Sequence, residues 1–279
     1  MIFSRETRRK LSALRRRPPG APPKSHPIAS ASEAAPEPVS DDEEPEQAPT
    51  EPVPVERLLP GEAVENDFGV CYVMRPEVSA PTGWQRSAVE ALRGLTWPGR
   101  IPMGDMAFVD IETLGLSGMP IFLVGVLRCD SSALGLTQFL ARDFPEEAAL
   151  LAETVSALQD CGVLFTYNGA AFDLPYLQER SIYHAVEWEL DVEHVDLLKP
   201  ARRRFRARFP DCRLQTLESL LCGREREDDI PGAEIPQRYQ EFVRTGDGRL
   251  LEVIVRHNQR DLLTLAEIVP YCLGLDPRW

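Results

Sequence analysis

The sequence predicts a mixed α/β fold, on the basis of three observations. Residues 106–143 contain three strand-like apolar runs in succession, "MAFVDIET", "IFLVGVLRC" and "LGLTQFLARD". Helical patterns then alternate with short strands, beginning with "PEEAALLAETVSALQDC" at residues 145–161. The longest helical pattern, "RLLEVIVRHNQRDLLTLAEIV", covers residues 249–269. Three strands followed by alternating helices and strands are typical of a mixed α/β domain.

The remaining elements follow in order from about residue 61. Residues 68–76 are predicted as a strand and residues 84–95 as an amphipathic helix. The turn-forming "GLSGMP" separates the first two of the three central strands, which we expect to be consecutive and antiparallel. Pro145 followed by acidic residues marks a helix start. Residues 162–168 read as a buried strand, and "FDLPYLQERSIYHAV" and "RLQTLESLLCG" as helices, the second ended by Gly223.

The N-terminal tail differs in composition from the rest of the chain. Residues 1–60 hold 12 of the 25 prolines, with a basic block before residue 25 and an acidic block after it. Such a composition predicts disorder. A short basic helix near residues 3–16 would contact nucleic acid or an acidic partner, or fold back on the acidic block. The predicted organisation is a tail at 1–60, a strand and helix extension packing on the main domain at 61–100, and the main domain at 101–275.

Composition excludes several classes of protein. The net charge of -13 argues against a generic polyanion-binding surface, so nucleic acid would need a local basic patch or bound cations. The six cysteines are scattered, which predicts reduced thiols rather than a zinc site or a disulfide framework. No apolar run reaches the length of about 18 residues that a membrane helix needs. Without a secretory signal, the expected compartment is the cytoplasm.

Two carboxylates occupy the first central strand. Asp110 and Glu112, in "AFVDIETLGL", are two residues apart and therefore share one face of the strand. The simplest interpretation is a polar strand face on the surface. Phe108 lies on the same side, however, so the face is not simply polar. A carboxylate placed beside a core needs a partner, because burying it unpaired is costly.

Two further segments break the apolar pattern. In "TYNGAAFDLPYL", Asp173 stands near a helix start, where a simple N-cap would also explain it. On the long C-terminal helix, His257 and Asp261 are four residues apart and fall on the apolar stripe that contains Ile254 and Leu265. Four carboxylates from distant segments can hold two divalent cations about 4 Å apart, which activate a water and stabilise the leaving oxygen in phosphodiester hydrolysis. Such a site explains all three interruptions.

These motifs resemble a known superfamily. D-x-E-T, then N-G-x-x-F-D-x-P-x-L, then a helix carrying a final Asp, resembles the DEDD (DnaQ-like) 3′–5′ exonucleases of the RNase H-like fold. The ordered set "HVDLLKPARRRF", "LQTLESLLCG", "DIPGAEIPQRY" and "HNQRDLLTL" resembles more specifically the bacterial YprB-like ribonuclease H-like domain. The resemblance covers about residues 61–272. It implies a mixed central sheet with three antiparallel strands, flanked by helices, after the disordered tail.

The resemblance also implies roles for individual residues. Asp110, Glu112, Asp173 and Asp261 would hold two divalent cations, Mg²⁺ or Mn²⁺. Such families place a Tyr four residues, or a His five residues, before the last Asp. This chain has His257 four residues before Asp261, so histidine chemistry occurs at the tyrosine spacing. We expect His257 to accept a proton from the attacking water. Thr113 and Asn168 are expected to contact substrate.

A basic segment follows the Asp196 position of the family. Residues 199–208 contain six Lys or Arg side chains, interleaved with aromatic residues. They predict a phosphate track through Lys199, Arg202, Arg203, Arg204 and Arg206 in which Phe205 and Phe209 stack on bases. The alternative is a solvated helix that the two Phe side chains anchor to the core. Asp196 either orients residues that bind the metal, or it caps or pairs with the basic run that follows it.

Three functional hypotheses remain open on the sequence alone. The first is a metal-dependent nuclease, a 3′–5′ exonuclease that acts on DNA or RNA. Its expected partner is nucleic acid, and no membrane partner is expected. The second is a nucleic-acid-binding module that keeps the fold but is weak or inactive in turnover. The third is a scaffold that acts through residues 1–60 and possesses no metal requirement.

Overall fold

The computed structural model describes residues 51–76, 106–116, 118–129 and 134–275. The predicted basic helix near residues 3–16 and the helix at 84–95 lie outside these ranges. Residues 51–60 differ from the predicted tail, because they belong to the folded part of the chain. They contain the helical turn Val55–Leu58, with Val55 buried, and Gly248 donates its N–H to the Val53 carbonyl at 2.7 Å. Residues 51–60 therefore belong to the folded domain and not to the predicted tail.

From residue 106 onward, the three strands, the helix, the next strand and the later helices that the sequence predicts occur in the predicted order. The strands are Glu62–Asn66 (β1), Gly69–Met74 (β2), Met106–Thr113 (β3), Ile121–Cys129 (β4), Leu134–Leu140 (β5), Val163–Thr166 (β6) and Glu193–Asp196 (β7). The helices are Val55–Leu58 (α1), Glu147–Leu158 (α2), Asp173–Tyr183 (α3), Leu198–Phe205 (α4), Leu214–Leu217 (α5), Ile235–Thr245 (α6) and Arg249–Leu273 (α7). A π-helical turn, Glu218–Cys222, continues α5 and ends at Gly223, whose φ is 68°.

The seven described strands form one mixed sheet in the order β1-β2-β5-β4-β3-β6-β7. The pairs from β1 to β3 are antiparallel, whereas β6 lies parallel to both β3 and β7. The prediction of three consecutive antiparallel central strands is confirmed. β1 and β2 extend the same sheet through the β2–β5 pair, and β1 and α6 are elements that the sequence pattern did not indicate.

Alternation along β3 divides the core into two layers. Ala107 and Val109 face one side of the sheet and pack in a cluster with residues of α2. Met106 and Phe108 face the other side and pack with Leu262 and other residues of the second half of α7. Because Asp110 and Glu112 continue the even-numbered positions, both carboxylates lie on the α7 side.

Helix α7 contributes residues to both clusters along its length. Its first turns contribute Leu251, Ile254 and Val255 to the α2-side cluster, and its later turns from Leu262 onward belong to the other cluster. The polar residues at 257–261 lie where the helix crosses from one cluster to the other. This position explains why a stripe of core residues is interrupted there. None of the helices described in the structure has the length and apolar character needed to span a bilayer.

Candidate functional site

The first two carboxylates stand at the end of a central strand. β6 pairs with β3 only through Phe108, so the part of β3 that carries Asp110 and Glu112 extends beyond the end of β6. Because β3 and β6 are parallel, their carboxyl ends meet at the same edge of the sheet. The turn after β6 therefore starts beside Asp110 and leads into α3, whose first residue is Asp173.

Asp196, at the end of β7, holds that turn in place. Its Oδ1 accepts hydrogen bonds from the backbone N–H of Asn168 at 2.8 Å and of Leu198 at 3.0 Å, and its Oδ2 accepts from Ala170 at 3.3 Å. Asn168 has a left-handed backbone with φ of 69°. Asp196 thus caps the basic helix α4, as one of the two interpretations expected, and it also orders the turn that precedes Asp173.

A close approach inside the turn explains why it contains glycine. A Cβ atom at Gly169 would lie 2.3 Å from the Thr166 hydroxyl oxygen. Any larger residue would push the turn away from the end of β6. Asn168 and Gly169 therefore allow the tight turn that leads from β6 to Asp173.

The four predicted carboxylates are close enough to repel one another. Burial, followed by the charges of Asp261, Glu112 and Asp173, raises the pKa of Asp110 well above its usual range. Burial, then Asp261 and Asp173, likewise raises the pKa of Glu112. Burial raises the pKa of Asp173 to about 7, although hydrogen bonds from backbone N–H groups, including that of Ile111, oppose the shift. Asp110, Glu112 and Asp173 thus concentrate negative charge on this part of the site.

His257 contacts two acidic residues. Its Nδ1 lies 2.8 Å from Oδ1 of Asp229, and its Nε2 lies 3.6 Å from Oδ2 of Asp261. In neutral imidazole, an Nδ1–H that donates to Asp229 leaves the Nε2 lone pair directed toward the Asp261 side. Hydrogen bonding to His257 and ion pairing with Arg226 hold the pKa of Asp229 below its usual range despite burial.

Arg226 binds three carboxylates at once. Its Nε donates to Glu218 at 2.7 Å, its Nη1 to Asp229 at 3.2 Å, and its Nη2 lies 2.5 Å from Oδ1 of Asp261. The Arg226 side chain is only 5% exposed. Burial opposes the charged guanidinium, yet the charges and hydrogen bonds of Asp261 and Glu218 raise the Arg226 pKa overall. A cavity of 410 Å³ borders this charged network at Glu218, Arg226 and Asp229.

The chemistry of the site fits divalent cations. Carboxylate oxygens are the ligands that Mg²⁺ and Mn²⁺ prefer. The raised pKa values of Asp110, Glu112 and Asp173 indicate negative charge that a bound cation would offset. Within the described ranges, no three His, Cys, Asp or Glu side chains are already grouped as a complete metal-binding cluster. One predicted ligand, Asp261, is instead paired with Arg226.

The predicted substrate residues fall into two groups. Thr113 is nearly buried, and its hydroxyl donates to the Gly115 carbonyl at 2.7 Å, so it shapes the loop after β3. Asn168 is exposed beside the carboxylates' edge of the sheet. Four of the five predicted basic side chains in and directly after α4 are also exposed, namely Lys199, Arg202, Arg203 and Arg206.

The structure corrects part of the phosphate-track prediction. Phe205 is 1% exposed and stacks on Phe209 with ring centroids 5.1 Å apart, so it is a core residue and is not available to stack on bases. Arg204 is half-buried against the end of α7, where a Cβ at Gly274 would lie 2.4 Å from its Nη1. The alternative of a solvated helix anchored by two Phe side chains describes α4 better, because the apolar stripe and the basic face coexist.

Sequence reasoning missed three residues that contact the predicted set. Asp229 and Arg226 lie in the loop between the π-helical turn and α6, and Asn258 follows His257 directly. Asp229 is the first residue of the "DIPGAEIPQRY" motif, and Asn258 belongs to "HNQRD". Both motifs carried the resemblance, but nothing in their spacing assigned a contact to either residue.

The fold and the site together define a mixed α/β protein with an acidic centre at the carboxyl edge of its sheet. The chain belongs to the RNase_H superfamily, since the RNase_H_2 family model matches residues 107–272. This match includes all four predicted carboxylates and His257. The predicted RNase H-like fold is confirmed.

The similar proteins include a bacterial relative and a solved polymerase structure. YprB of Bacillus subtilis (strain 168) is 32% identical over 169 residues, which is 59% of this chain and 41% of that protein. The chain thus matches less than half the length of this relative. A family B DNA polymerase from the hyperthermophilic archaeon Pyrobaculum calidifontis is similar in structure, with a TM-score of 0.50 and 19% identity over 60% of this chain and 24% of the polymerase. That likeness concerns the fold alone.

Proposed function

We propose that the protein is a metal-dependent nuclease, a 3′–5′ exonuclease that hydrolyses phosphodiester bonds of DNA or RNA with two divalent cations. One observation carries the proposal. Four carboxylates from three separate segments, β3, the start of α3 and the middle of α7, lie close enough to repel one another, and His257 lies beside one of them. Membership in the RNase_H superfamily, which generally uses divalent metals, supports it. The polarity rests on the resemblance to DEDD exonucleases.

The residues of the site divide the chemical work. Asp110, Glu112, Asp173 and Asp261 would hold the cations, Mg²⁺ or Mn²⁺. Bound there, the cations supply the positive charge that lowers the pKa of an attacking water and stabilises the leaving oxygen. His257 accepts the proton of that water at Nε2, because its Nδ1–H is engaged by Asp229. Asp229 fixes the orientation of the imidazole and stabilises the imidazolium that forms.

The substrate class follows from charge outside the acidic centre. The exposed basic residues of the α4 segment provide a surface for phosphates in a protein that is otherwise strongly acidic. Asp196 joins the two regions, since it caps α4 and orders the turn containing Asn168. A single strand that contacts α4 with its phosphates would reach the carboxylates along this turn, where Asn168 contacts its sugar.

A cleavage assay with a matched control tests the proposal. Asp110→Asn keeps the size of the side chain but removes a charge that the cations need. Loss of several kcal/mol of transition-state stabilisation, at about 1.4 kcal/mol per tenfold, lowers the rate about 1,000-fold or more. Asp67→Asn, an exposed aspartate in the β1–β2 turn, should leave the rate unchanged.

The assay uses end-labelled single-stranded, duplex and structured DNA and RNA with Mg²⁺ or Mn²⁺, and follows shortening from each end. Absence of cleavage of every substrate by the unchanged protein would refute the proposal. Removal of residues 1–50 should preserve activity, and the deletion must stop there because residues 51–60 pack in the folded chain. Loss of all activity on this deletion would favour the tail-driven scaffold.

One contact favours a second candidate function. Arg226 already neutralises Asp261, which suits a nucleic-acid-binding module that keeps the acidic site without efficient turnover. Such a module would bind labelled strands with the same affinity in the presence of EDTA and of Mg²⁺. A nuclease would shorten the strand only with the metal, so the two functions are separated by turnover and not by binding.

A further inference from the structure

A neutral hydrogen-bond network supports the Asp110 carboxylate from the α7 side. Asn258 is fully buried, and its Nδ2 donates to Oδ2 of Asp110 at 2.9 Å and to the Asp110 backbone carbonyl at 3.1 Å. The two bonds fix the carboxylate relative to its own backbone. Within the described ranges, Oδ1 of Asp110 accepts no hydrogen bond, so one oxygen is committed to Asn258 and the other is available.

A second amide determines which way Asn258 faces. Gln138 on β5 is 1% exposed, and its Nε2 donates to Oδ1 of Asn258 at 2.8 Å and to the Val255 carbonyl at 2.9 Å. Because Oδ1 of Asn258 accepts this bond, Nδ2 must be the atom that faces Asp110. Gln138 and Asn258 are 120 residues apart in the chain, so the pair is a product of the fold.

The strand between them contains the residue that leaves room for the network. Gly125 on β4 is the direct partner of both Asp110 on β3 and Gln138 on β5. A Cβ atom at Gly125 would lie 2.2 Å from Oδ1 of Asn258 and 2.5 Å from a methyl carbon of Leu262. Any side chain there would displace Asn258 from Asp110.

We propose that Asn258, Gln138 and Gly125 are positioning residues that fix the Asp110 carboxylate in the orientation in which it receives a divalent cation. The inference rests on the proposed function and names the residues on which cation binding at that site depends. Amides suit this task, because they donate to the carboxylate without bringing a positive charge that would compete with the metal. At Asp261 the donor is instead the positively charged guanidinium of Arg226.

Three variants test the three parts of the network by Mn²⁺ calorimetry on the full chain. Asn258→Leu removes the donor, Gln138→Met keeps Asn258 but frees its amide to turn, and Gly125→Ala keeps both amides but displaces one. Loss of such support costs about 10–100-fold in metal affinity. We expect that range for Asn258→Leu and a smaller loss in the same direction for the other two. Tyr239→Phe is the control, since it removes a buried hydrogen bond to the Ala141 carbonyl in the other core.

A kinetic measurement separates positioning from general destabilisation. In each variant the kcat for strand cleavage should fall while the KM for nucleic acid stays constant, and excess Mn²⁺ should restore kcat. Tyr239→Phe should show neither effect. If Asn258→Leu does not fold, Gln138→Met and Gly125→Ala carry the test.

Two results would overturn the inference in different ways. Folded variants that bind Mn²⁺ as tightly as the unchanged protein, and cleave with the same metal dependence, would refute the positioning role while the proposed function stands. An unchanged protein that neither binds Mn²⁺ nor cleaves any strand would refute the proposed function, and the inference with it.

Discussion

Asp110 and Asp261 face the same acidic centre, but their surroundings balance charge in different ways. Asp110 is held by the neutral amide of Asn258, and burial together with neighbouring carboxylates raises its pKa. Asp261 is paired with the guanidinium of Arg226 and lies next to His257. One side of the site therefore retains an unbalanced negative charge, whereas the other already has a cation supplied by the protein.

The difference indicates which side depends on an added metal. Buried carboxylates without a counter-ion are costly, so the β3 side gains most from a bound cation. The part of the site around Asp261, which we call the α7 side of the site, already has the Arg226 guanidinium as its counter-ion. The carboxylate network there also orients His257. The four carboxylates are thus not equivalent, although the sequence motif presents them as one set.

The largest expected effect concerns the histidine on the α7 side. His257→Gln retains a polar side chain but cannot accept a proton from water, so kcat should fall about 100- to 10,000-fold. Asp229→Asn should lower kcat less, because the imidazole remains but loses its orienting carboxylate. Both variants should bind Mn²⁺ with near-normal affinity in calorimetry. Cleavage by His257→Gln at the normal rate would show that proton transfer from the attacking water does not need the His257 imidazole.

The second prediction removes the internal cation. Arg226→Met removes the guanidinium that Glu218, Asp229 and Asp261 share, and Arg224, whose Nε lies 3.9 Å from Oε1 of Glu218, offsets only part of the loss. The substitution should cost about 3–5 kcal/mol in the free energy of unfolding. Urea denaturation in EDTA measures the loss. Arg238→Met is the matched control, because the Arg238 side chain is 42% exposed and lies 3.9 Å from the Glu234 carboxylate, so the cost should stay below about 1 kcal/mol.

Metal addition sharpens the Arg226 experiment. Mn²⁺ should raise the stability of Arg226→Met more than that of the unchanged protein, since a cation that binds only the folded state stabilises it. Equal losses for Arg226→Met and Arg238→Met would contradict the view that Arg226 balances the α7 side of the site.

The third prediction concerns pH on the unbalanced side. The pKa of Asp173 is about 7 in the folded protein, above the value of about 3.9 for an unfolded Asp. The folded state therefore binds the proton more tightly, and stability falls as pH rises between these values. From pH 5.5 to about 7 the loss from Asp173 alone amounts to about 2 kcal/mol.

Denaturation in EDTA at pH 5.5, 7 and 8 measures this dependence. Asp173→Asn should show a smaller decline because it cannot ionise, and at pH 8 it should be more stable than the unchanged protein without metal. Saturating Mg²⁺ should flatten the decline of the unchanged protein. If stability rises with pH in the unchanged protein but not in Asp173→Asn, the folded state lowers the pKa of Asp173 instead of raising it. That result would contradict the prediction.

The sequence allowed prediction of the parts of the site that follow from periodicity. Alternation on β3 placed Asp110 and Glu112 on one face, and helical spacing placed His257 and Asp261 together, as the structure has them. The mixed sheet and the order of its central strands also followed from local patterns. These features depend on residues that are close in sequence, which is why a single chain reveals them.

The supporting contacts could not be predicted, because they join segments without a common period. Arg226 and Asp229 reach the site from a loop, and Gln138 reaches Asn258 from a different strand. The aromatic residues of α4 were ambiguous for another reason. Phe205 and Phe209 are four residues apart, which suits both an apolar anchor and a row of stacking platforms, and only burial separates the two.

The smallest expected effect concerns the basic surface of α4, which lies outside the acidic centre. Replacing Arg202 and Arg203 with Gln should weaken binding of single strands modestly. It should also make the slope of log affinity against log salt shallower by about 0.7 for each lost phosphate contact. Fluorescence anisotropy in EDTA, which prevents cleavage, measures both quantities. Arg238 and Arg244 on α6, whose side chains are 42% and 73% exposed, provide the matched double Gln control.

The same measurement distinguishes α4 from a generally attractive surface. If the α4 variant and the α6 control change the salt slope equally, the basic residues of α4 do not bind the phosphates of the strand specifically. If only the α4 variant does, phosphates are held on the side of the turn ordered by Asp196. The strand would then approach the unbalanced β3 side of the site through Asn168, before it meets His257 on the α7 side.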